Sequence, residues 1–267
     1  MDTPMIPMIT VAGLGRRFAA GRFPLLIDVR REERYAEAAD VIRGARRRRP
    51  DRLEYWAQDL PAHGEIVVYC VHGHEVSQGV CSGLLKRGFS AAYLEGGIEA
   101  WHDSGAPLQA KPPADPSHWI TRERPKIDRI ACPWLIRRFI DPDARFSYVP
   151  AERVFAASEE LGAIPYDIPG AGYGHEGEEC SFDTVIRRHG LGDDVALMAL
   201  ARIVRGADTG RPDLAPQAAG LLAVSLGLSV MYQNDDAMLT QGMPIYDALY
   251  AWCASARSEQ HGWPPVV

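Results

Sequence analysis

The first hundred residues alternate between short, almost continuous apolar runs and segments whose apolar positions have helical spacing. Residues 25–29 and 66–69 are apolar runs of a kind typical of strands covered on both faces. Helical periodicity marks residues 51–58, 77–86 and 98–104, and a glycine stands just after the last two segments. This alternation predicts an α/β domain in which helices flank a parallel sheet.

The second half of the chain has a different pattern, in which helical segments dominate. Residues 195–204 and 221–231 are apolar on nearly every face, and residues 245–252 have apolar positions at helical spacing. Two shorter runs, at 145–149 and 164–168, are strand candidates. The second half is therefore predicted to be a mainly helical α+β domain.

A proline-rich segment separates the two patterns. Residues 109–118 contain three prolines and few apolar side chains, and proline stiffens a chain while removing a backbone donor. We therefore predict a first domain over residues 1–108, a linker over 109–118 and a second domain over 119–267. A length of 267 residues also favours two domains.

Composition and charge narrow the classes of function. A net charge of −6 argues against a general nucleic-acid binder, because such proteins neutralise phosphates with clustered Lys and Arg. No apolar run reaches the roughly 20 residues of a membrane span, and residues 1–10 lack the features of a secretory signal. Five scattered cysteines indicate free thiols. We expect a cytoplasmic protein without nucleic-acid or membrane partners, with a homodimer as one candidate assembly.

One local exception to the acidic balance is residues 46–49, which are four consecutive arginines. A solvated loop before a helix explains such a run. A docking patch for an anion or an acidic partner explains it as well.

Cys70 is the residue with the clearest candidate chemistry. It follows a predicted strand and precedes a helix, so successive backbone N–H groups and the positive end of the helix dipole would face its sulfur. Both favour the thiolate, which is the nucleophilic form. Gly73 permits the backbone angles of a loop curled around the sulfur, and parallel sheets bind ligands at the carboxyl ends of their strands. The alternative is a buried structural thiol.

Three segments of the first domain carry a family resemblance. They are residues 25–30 (LLIDVR), 70–77 (CVHGHEVS) and 93–105 (YLEGGIEAWHDSG), and their order and spacing resemble those of rhodaneses. The resemblance implies a rhodanese-like domain in which Cys70 accepts a sulfane sulfur as a persulfide and passes it to a thiophilic acceptor. This transfer requires no cofactor, and its partners would be small anionic or thiol sulfur donors and acceptors.

The resemblance implies a substrate loop made of Val71, His72, Gly73, His74, Glu75 and Val76. Rhodanese loops usually carry an arginine at the position of Glu75, and a negative charge there argues against the anion thiosulfate as donor. His72 and His74 are candidates for the missing positive charge, although simple solvent exposure explains them equally well. Asp28 and Arg30 are expected to support the loop or to form a buried ion pair.

Four segments of the second half carry another resemblance. They are residues 121–139, 166–182, 203–209 and 246–253, and they resemble the C-terminal domain of ChrB-type chromate-resistance proteins. The resemblance links the chain to chromate resistance and its regulation, and it does not identify a reaction.

His175 and Cys180 are the candidate metal ligands of this half, in a glycine-rich loop beside three glutamates. Imidazole, thiolate and carboxylate groups suit zinc, iron or copper, so a transition metal is a candidate cofactor. A lone histidine and a distant cysteine also form hydrogen-bonded structural pairs. Asp128 and Cys132 have the spacing of one helical face, unless Pro133 marks the helix start.

Arginines offer a different chemistry in the same region, because guanidinium groups match tetrahedral oxyanions such as chromate. The candidates for such a pocket are Arg122, Arg124, Arg129, Arg137 and Arg138. Solvated or ion-paired surface positions are the other interpretation. Asp208 stands in a helix-ending turn, and turn chemistry explains it without a ligand.

The sequence therefore favours a sulfurtransferase that works through a Cys70 persulfide and is linked to chromate or other oxyanion resistance. The alternative is a non-catalytic sensor or regulatory protein for chromate or thiol stress. Glu75, which stands where rhodanese loops usually carry an arginine, is the feature that supports this alternative. A third hypothesis, reduction of an oxyanion by the Cys70 thiolate, lacks the arginine that it would require.

Overall fold

The computed structural model describes residues 6–61, 64–112 and 115–257. Within these ranges the chain forms two compact units, and the main boundary between them falls between residues 112 and 115. The first unit is α/β with a parallel sheet and the second is rich in helices, which confirms the predicted fold class. No helix in the described ranges is both long enough and apolar enough to cross a membrane.

The first unit is built around its strands, which are β1 (Met8–Ile9), β2 (Leu25–Asp28), β3 (Asp40–Ile42), β4 (Arg46–Arg47), β5 (Glu65–Tyr69), β6 (Ser90–Leu94) and β7 (Leu108–Ala110). Five of them form a fully parallel sheet in the order β1–β6–β5–β2–β4. The strands β3 and β7 form a separate antiparallel pair. The helices of this unit are α1 (Val11–Ala19), α2 (Glu32–Glu37), α3 (Leu53–Trp56), α4 (Glu75–Leu85) and α5 (Gly97–Asp103).

Apolar side chains pack against both faces of the parallel sheet. Leu26 and Val67 belong to one buried cluster, whereas Ile27 and Val68 belong to another. Successive strand residues point to opposite faces, so a strand that is covered on both sides is apolar at every position. The strands predicted over residues 25–29 and 66–69 are therefore confirmed, with bounds that differ by one residue.

The strand β7 changes the interpretation of the proline-rich segment. Residues 109 and 110 were assigned to the linker by the sequence, but they pair with β3, where Ala110 lies opposite Asp40. Three-residue strands are too short for an alternating pattern to reveal them. The other bounds predicted for the linker and the two domains stay predictions.

The four-arginine run begins as the edge strand β4 rather than as a solvated loop. Arg47 forms an ion pair with Glu32 at 3.3 Å, and its guanidinium lies over the ring of Tyr35. Arg49 binds Asp51 through two hydrogen bonds. Arg47 and Arg49 are therefore paired within the protein.

The second unit combines a small sheet with helices. Its strands are β8 (His118–Arg122), β9 (Arg145–Val149) and β10 (Ile164–Pro165), which lie parallel in the order β10–β8–β9. Its helices are α6 (Asp128–Phe139), α7 (Val154–Leu161), α8 (Ser181–Arg188), α9 (Val195–Asp208), α10 (Ala218–Met231) and α11 (Asp235–Ala251), and a π-helical turn (Trp252–Ala256) follows. The strand predicted at 164–168 is shorter than expected, and Pro133 lies inside α6 rather than at its start.

Candidate functional site

Cys70 is the first residue after β5, at the carboxyl edge of the parallel sheet. It is a free thiol, 5% exposed, and it lines a pocket of about 550 Å³. The pocket is formed by the connection after β2 and by the loop before α4, and its lining residues are Arg30, Arg31, Arg34, Cys70, Val71, His72, His74, Glu75, Val76 and Gln78. The structure thus places the predicted nucleophile at a strand end, where it reaches a cavity.

The backbone of the Cys70 loop is held in place by the turn that begins α5. The N–H of Ile98 donates to the carbonyl of Cys70 at 3.0 Å, and the N–H of Glu99 donates to the carbonyl of Val71 at 3.2 Å. Gly73 has a φ of +71°, and a Cβ there would lie 2.5 Å from the carbonyl oxygen of Leu94. Only glycine fits this position, so the loop geometry depends on Gly73.

Ser77 is a contact of Cys70 that the sequence analysis missed. Its Oγ lies 3.2 Å from the Cys70 sulfur and 3.2 Å from the carbonyl oxygen of His74. A serine hydroxyl has one proton to donate and can also accept. With a protonated thiol, the sulfur can donate to Ser77 while Ser77 donates to His74; with a thiolate, the Ser77 proton can turn to the sulfur.

The other four cysteines are in surroundings that keep them protonated near neutral pH. Burial raises the pKa of Cys81 and of Cys253 to about 11. Burial also raises the pKa of Cys132 and of Cys180 far above the usual value, and the charge of Asp128 adds to this effect. These four thiols are therefore poor nucleophiles.

Asp28 and Arg30 form the buried ion pair that the sequence offered as one interpretation. The Arg30 guanidinium donates to both carboxylate oxygens of Asp28, at 2.6 to 3.1 Å, and also to the carbonyl of Asp40. The hydroxyl of Tyr69 donates to Asp28 at 3.1 Å. Burial and the Asp28 charge raise the pKa of Tyr69 well above its usual value, so this hydroxyl remains a donor. The hydrogen bond from Tyr69 to Asp28 thus links the end of β5 to the end of β2 beside the pocket.

The positive charge of the pocket comes from a source that the sequence analysis missed. Arg31 lines the pocket, and its guanidinium forms no hydrogen bond or ion pair with any residue that the structure describes. Arg34 lines it as well and pairs with Glu37 at 3.2 Å. His72, one of the two histidines expected to supply charge, pairs through Nδ1 with Glu99 at 2.8 Å. Arg31 is therefore the cation best placed to meet an anion.

A second cluster of polar side chains lies in the helix-rich unit, around His175. The Nε2 atom of His175 lies 3.1 Å from Oδ2 of Asp208, 3.3 Å from Oδ1 of Asp167 and 3.7 Å from Oδ2 of Asp128. The hydrogen bond to Asp167 raises the pKa of His175, against the opposite effect of burial. Candidate ligand atoms of Asp128, His175 and Asp208 all lie within 4.8 Å of one another.

Cys180 does not belong to this three-residue group, which corrects the predicted pairing of His175 with Cys180. Cys180 precedes α8, and both its backbone N–H and its thiol donate to Asp183, at 3.0 and 3.2 Å. Asp183 in turn accepts two hydrogen bonds from Arg205. The Cys180 thiol is therefore engaged in a helix cap. Aspartates, rather than Cys180, are the candidate metal ligands beside His175.

Asp128 is the fully buried member of the cluster. Its Oδ2 accepts the N–H of Ser181 at 2.6 Å, while its Oδ1 is buried without a hydrogen-bond partner among the described residues. Burial, followed by the charges of Asp208 and Asp167, raises the pKa of Asp128 well above its usual value. Burial is also the largest cause of the raised pKa of Asp208. Carboxylates crowded in this way hold a proton or a cation between them.

The arginines considered for an oxyanion pocket are engaged with protein groups. Arg129 Nε lies 3.2 Å from Oδ2 of Asp167, and Arg122 Nη2 lies 3.8 Å from the same oxygen. Arg124 and Arg137 donate to backbone carbonyls. The ion-paired interpretation therefore holds for Arg122 and Arg129.

Two family models match the chain, one over each half. The model of the rhodanese-like domain matches residues 10–104. The model of the ChrB C-terminal domain matches residues 119–253. The two matches fall on the two structural units and agree with the resemblances drawn from the sequence motifs.

Individual proteins are similar to parts of the chain. Protein ChrB of Cupriavidus metallidurans is 37% identical over 139 residues, which are 52% of this chain and 41% of that protein. Thiosulfate sulfurtransferase GlpE of Vibrio cholerae serotype O1 is 41% identical over 46 residues, which are 17% of this chain and 42% of that protein. The chain thus spans about two fifths of the length of each of these relatives. A solved rhodanese-like domain protein from Staphylococcus aureus is 26% identical, covering 39% of this chain and 98% of that chain with a TM-score of 0.35.

Proposed function

The chain belongs to the ChrB C-terminal domain family and carries a rhodanese-like domain, and from this premise we propose that it is a sulfurtransferase acting in chromate or other oxyanion resistance. Cys70 carries the transferred sulfur as a persulfide between a small donor and a thiophilic acceptor. The observation that carries the proposal is the position of Cys70, a thiol at the carboxyl edge of a parallel sheet that lines a pocket. We place this activity in the cytoplasm.

The proposed reaction has two substitution steps at sulfur. With thiosulfate as donor, the Cys70 thiolate attacks the outer sulfur, the S–S bond of thiosulfate breaks, and sulfite leaves with the bonding electrons. An acceptor such as cyanide or a thiolate then attacks the terminal sulfur of the persulfide. The persulfide bond breaks, the Cys70 thiolate returns, and the transfer needs no cofactor.

Residues around the sulfur have distinct proposed roles. Ser77 donates a hydrogen bond from its hydroxyl to the thiolate, which stabilises the attacking form of Cys70. Arg31 attracts an anionic donor into the pocket, because its guanidinium has no protein partner in the described ranges. Arg30 acts as a support, because Asp28 already neutralises its charge.

Glu75 shapes the choice of donor. It lines the same pocket as Cys70 and begins α4, where a carboxylate is stabilised by the helix dipole. Its negative charge opposes a dianion such as thiosulfate more strongly than a monoanion such as 3-mercaptopyruvate. We therefore propose 3-mercaptopyruvate, or another donor of low charge, as the better substrate. With this donor the Cys70 thiolate attacks the thiol sulfur, the C–S bond breaks, and the pyruvate enolate leaves with the bonding electrons and takes up a proton.

The decisive experiment is a sulfur-transfer assay with cyanide as acceptor and with thiosulfate or 3-mercaptopyruvate as donor. We expect thiocyanate from the wild-type protein, none from Cys70→Ser, and normal amounts from Cys81→Ser. Cys81 is the matched control because it is a buried thiol in α4 of the same unit. Activity that survives in Cys70→Ser would refute the proposed persulfide.

Glu75 also favours a second candidate function, a non-catalytic sensor of chromate or thiol stress that uses the same thiol. The two functions differ in their response to Glu75→Arg, which restores the charge usual in rhodanese loops. A sulfurtransferase should gain activity with thiosulfate, since the substitution replaces repulsion with attraction. No transfer from either donor in both proteins, together with saturable chromate binding that requires Cys70, would favour the sensor.

A further inference from the structure

We propose that Asp128, His175 and Asp208 form a binding site for one divalent metal ion in the helix-rich unit, with two carboxylates and one imidazole as ligands. The geometry that points to it is convergence, since candidate ligand atoms from all three side chains lie within 4.8 Å of one another. The site is separate from Cys70 and does not depend on sulfur transfer.

Three segments distant in sequence bring these ligands together. Asp128 begins α6, Asp208 ends α9, and His175 lies in the connection between β10 and α8. The C-terminal end of a helix carries partial negative charge, so a cation beside Asp208 is favoured by the end of α9 as well as by the carboxylate. Asp128 is anchored through the hydrogen bond from the Ser181 N–H, which fixes the direction of its carboxylate.

The aspartates around His175 are unevenly compensated by positive charge. Three aspartates surround the imidazole, at 3.1 to 3.7 Å. Arg129 and Arg122 lie against the Oδ2 oxygen of Asp167, and the charge of Arg129 also lowers the pKa of Asp208. Among the described residues Asp128 has only the His175 imidazole as an ion-pair partner, so a divalent ion bound there would balance the charge of this buried carboxylate.

An independent observation comes from Asp128. Its side chain is completely buried, yet its Oδ1 atom has no hydrogen-bond partner within the described part of the chain. A buried carboxylate oxygen without a donor is costly. A metal ion coordinated by this carboxylate supplies the missing interaction.

The donor set indicates the class of metal. Carboxylate oxygens suit Mn²⁺ and other hard ions, whereas imidazole suits Zn²⁺ and Fe²⁺, and thiolate ligands select soft ions. Cys180 and its sulfur are engaged with Asp183, so the site offers oxygen and nitrogen donors. Asp167 remains beside the ligands, where it accepts from Ser181 Oγ at 2.8 Å and orients His175.

The test uses the full-length protein, freed of metal by dialysis against a chelator, and Mn²⁺ as the probe. Electron paramagnetic resonance measures free Mn²⁺ directly, so it reports binding without any assay of activity. We expect saturable binding of one Mn²⁺ per chain. The variants His175→Ala and Asp208→Asn should each weaken binding at least tenfold, because the loss of a group that only orients a metal ligand already has an effect of this size.

His189→Ala is the matched control, since His189 lies in the same unit and contacts Tyr173 rather than the aspartates. It should bind Mn²⁺ like the wild-type protein. Circular dichroism checks that each variant is folded; Asp128→Asn is avoided because Asp128 also holds the start of α8. The proposal is overturned if the folded wild-type protein leaves the free Mn²⁺ signal unchanged, or if folded His175→Ala and Asp208→Asn bind as tightly as the wild type.

Discussion

The sulfur of Cys70 lies 3.2 Å from the hydroxyl oxygen of Ser77, the third residue of α4. This contact joins the end of a strand to the first turn of the helix that follows the loop. Because the Ser77 hydroxyl also reaches the carbonyl of His74, its proton can serve either the backbone or the sulfur. The relationship makes Ser77 the nearest described partner through which the protein can stabilise an ionised Cys70.

Ser77→Ala should slow the reaction of Cys70. A hydrogen bond to a charged group contributes about 1.5–3 kcal/mol, so its loss should lower reactivity by about tenfold or more near neutral pH. The measurement is the rate of iodoacetamide alkylation at Cys70, followed by mass spectrometry over a range of pH. Ser82→Ala, in the same helix, should react like the wild type. Equal rates for Ser77→Ala and the wild type would show that this contact has no role.

Arg31→Ala should raise the KM for an anionic sulfur donor while kcat changes little. The guanidinium is exposed, and exposed charge pairs have small effects, so we expect a change of about threefold that shrinks with added salt. Steady-state kinetics with 3-mercaptopyruvate at low and high ionic strength would measure it. Arg52→Ala, a surface arginine that stacks over Tyr55, is the control. An unchanged KM at low salt would remove Arg31 from the binding model.

Arg30→Met should destabilise the first unit strongly. Removing one partner of a buried ion pair leaves an uncompensated charge, and this costs about 3–5 kcal/mol of unfolding free energy. Arg34→Met, which breaks only the exposed pair with Glu37, should cost less than about 1 kcal/mol. Urea denaturation of both variants would measure the difference. Similar midpoints for the two variants would contradict the structural role given to Arg30.

His189 should make the second unit sensitive to acid. Burial lowers the pKa of His189, so the folded state prefers the neutral ring, and full stability is present above the unfolded value of about 6.5. Stability is lost as the pH falls from that value through the folded pKa. The urea midpoint of His189→Gln should therefore fall less than that of the wild type between about pH 7.5 and pH 5. Parallel curves for the two proteins would argue against a partly buried, neutral His189.

Much of the first unit was predictable because its central strands are covered on both faces. This coverage makes β2 and β5 almost continuously apolar, and the carboxyl end of β5 then locates Cys70. The short strands β3 and β7 gave no such signal, since pairing rather than apolar alternation defines them.

The partners of Cys70 were harder to predict than Cys70 itself. Ser77 was visible in the motif, but its contact depends on how the loop curls before α4. Arg31 follows a strand in another part of the chain, and only the order of the parallel strands brings it to the pocket. Long-range placement of this kind leaves no periodic trace in a sequence.

The cluster around His175 shows the same limit in the second unit. The sequence indicates His175 as a candidate ligand and pairs it with Cys180, whereas the structure brings Asp128 and Asp208 to it. Turn chemistry explains Asp208 in the sequence, and in the structure Asp208 does end α9. At this position its carboxylate also lies 3.1 Å from the Nε2 atom of His175. A turn residue can thus satisfy local geometry and contribute to a distant cluster.

The most direct test of the central claim is the intact mass of the protein after incubation with 3-mercaptopyruvate or thiosulfate and removal of the excess donor. We expect the wild-type protein to gain the mass of one sulfur atom, cyanide to remove it, and Cys70→Ser never to acquire it. A wild-type mass that stays unchanged with both donors, or a sulfur adduct that persists in Cys70→Ser, would show that Cys70 does not carry the transferred sulfur.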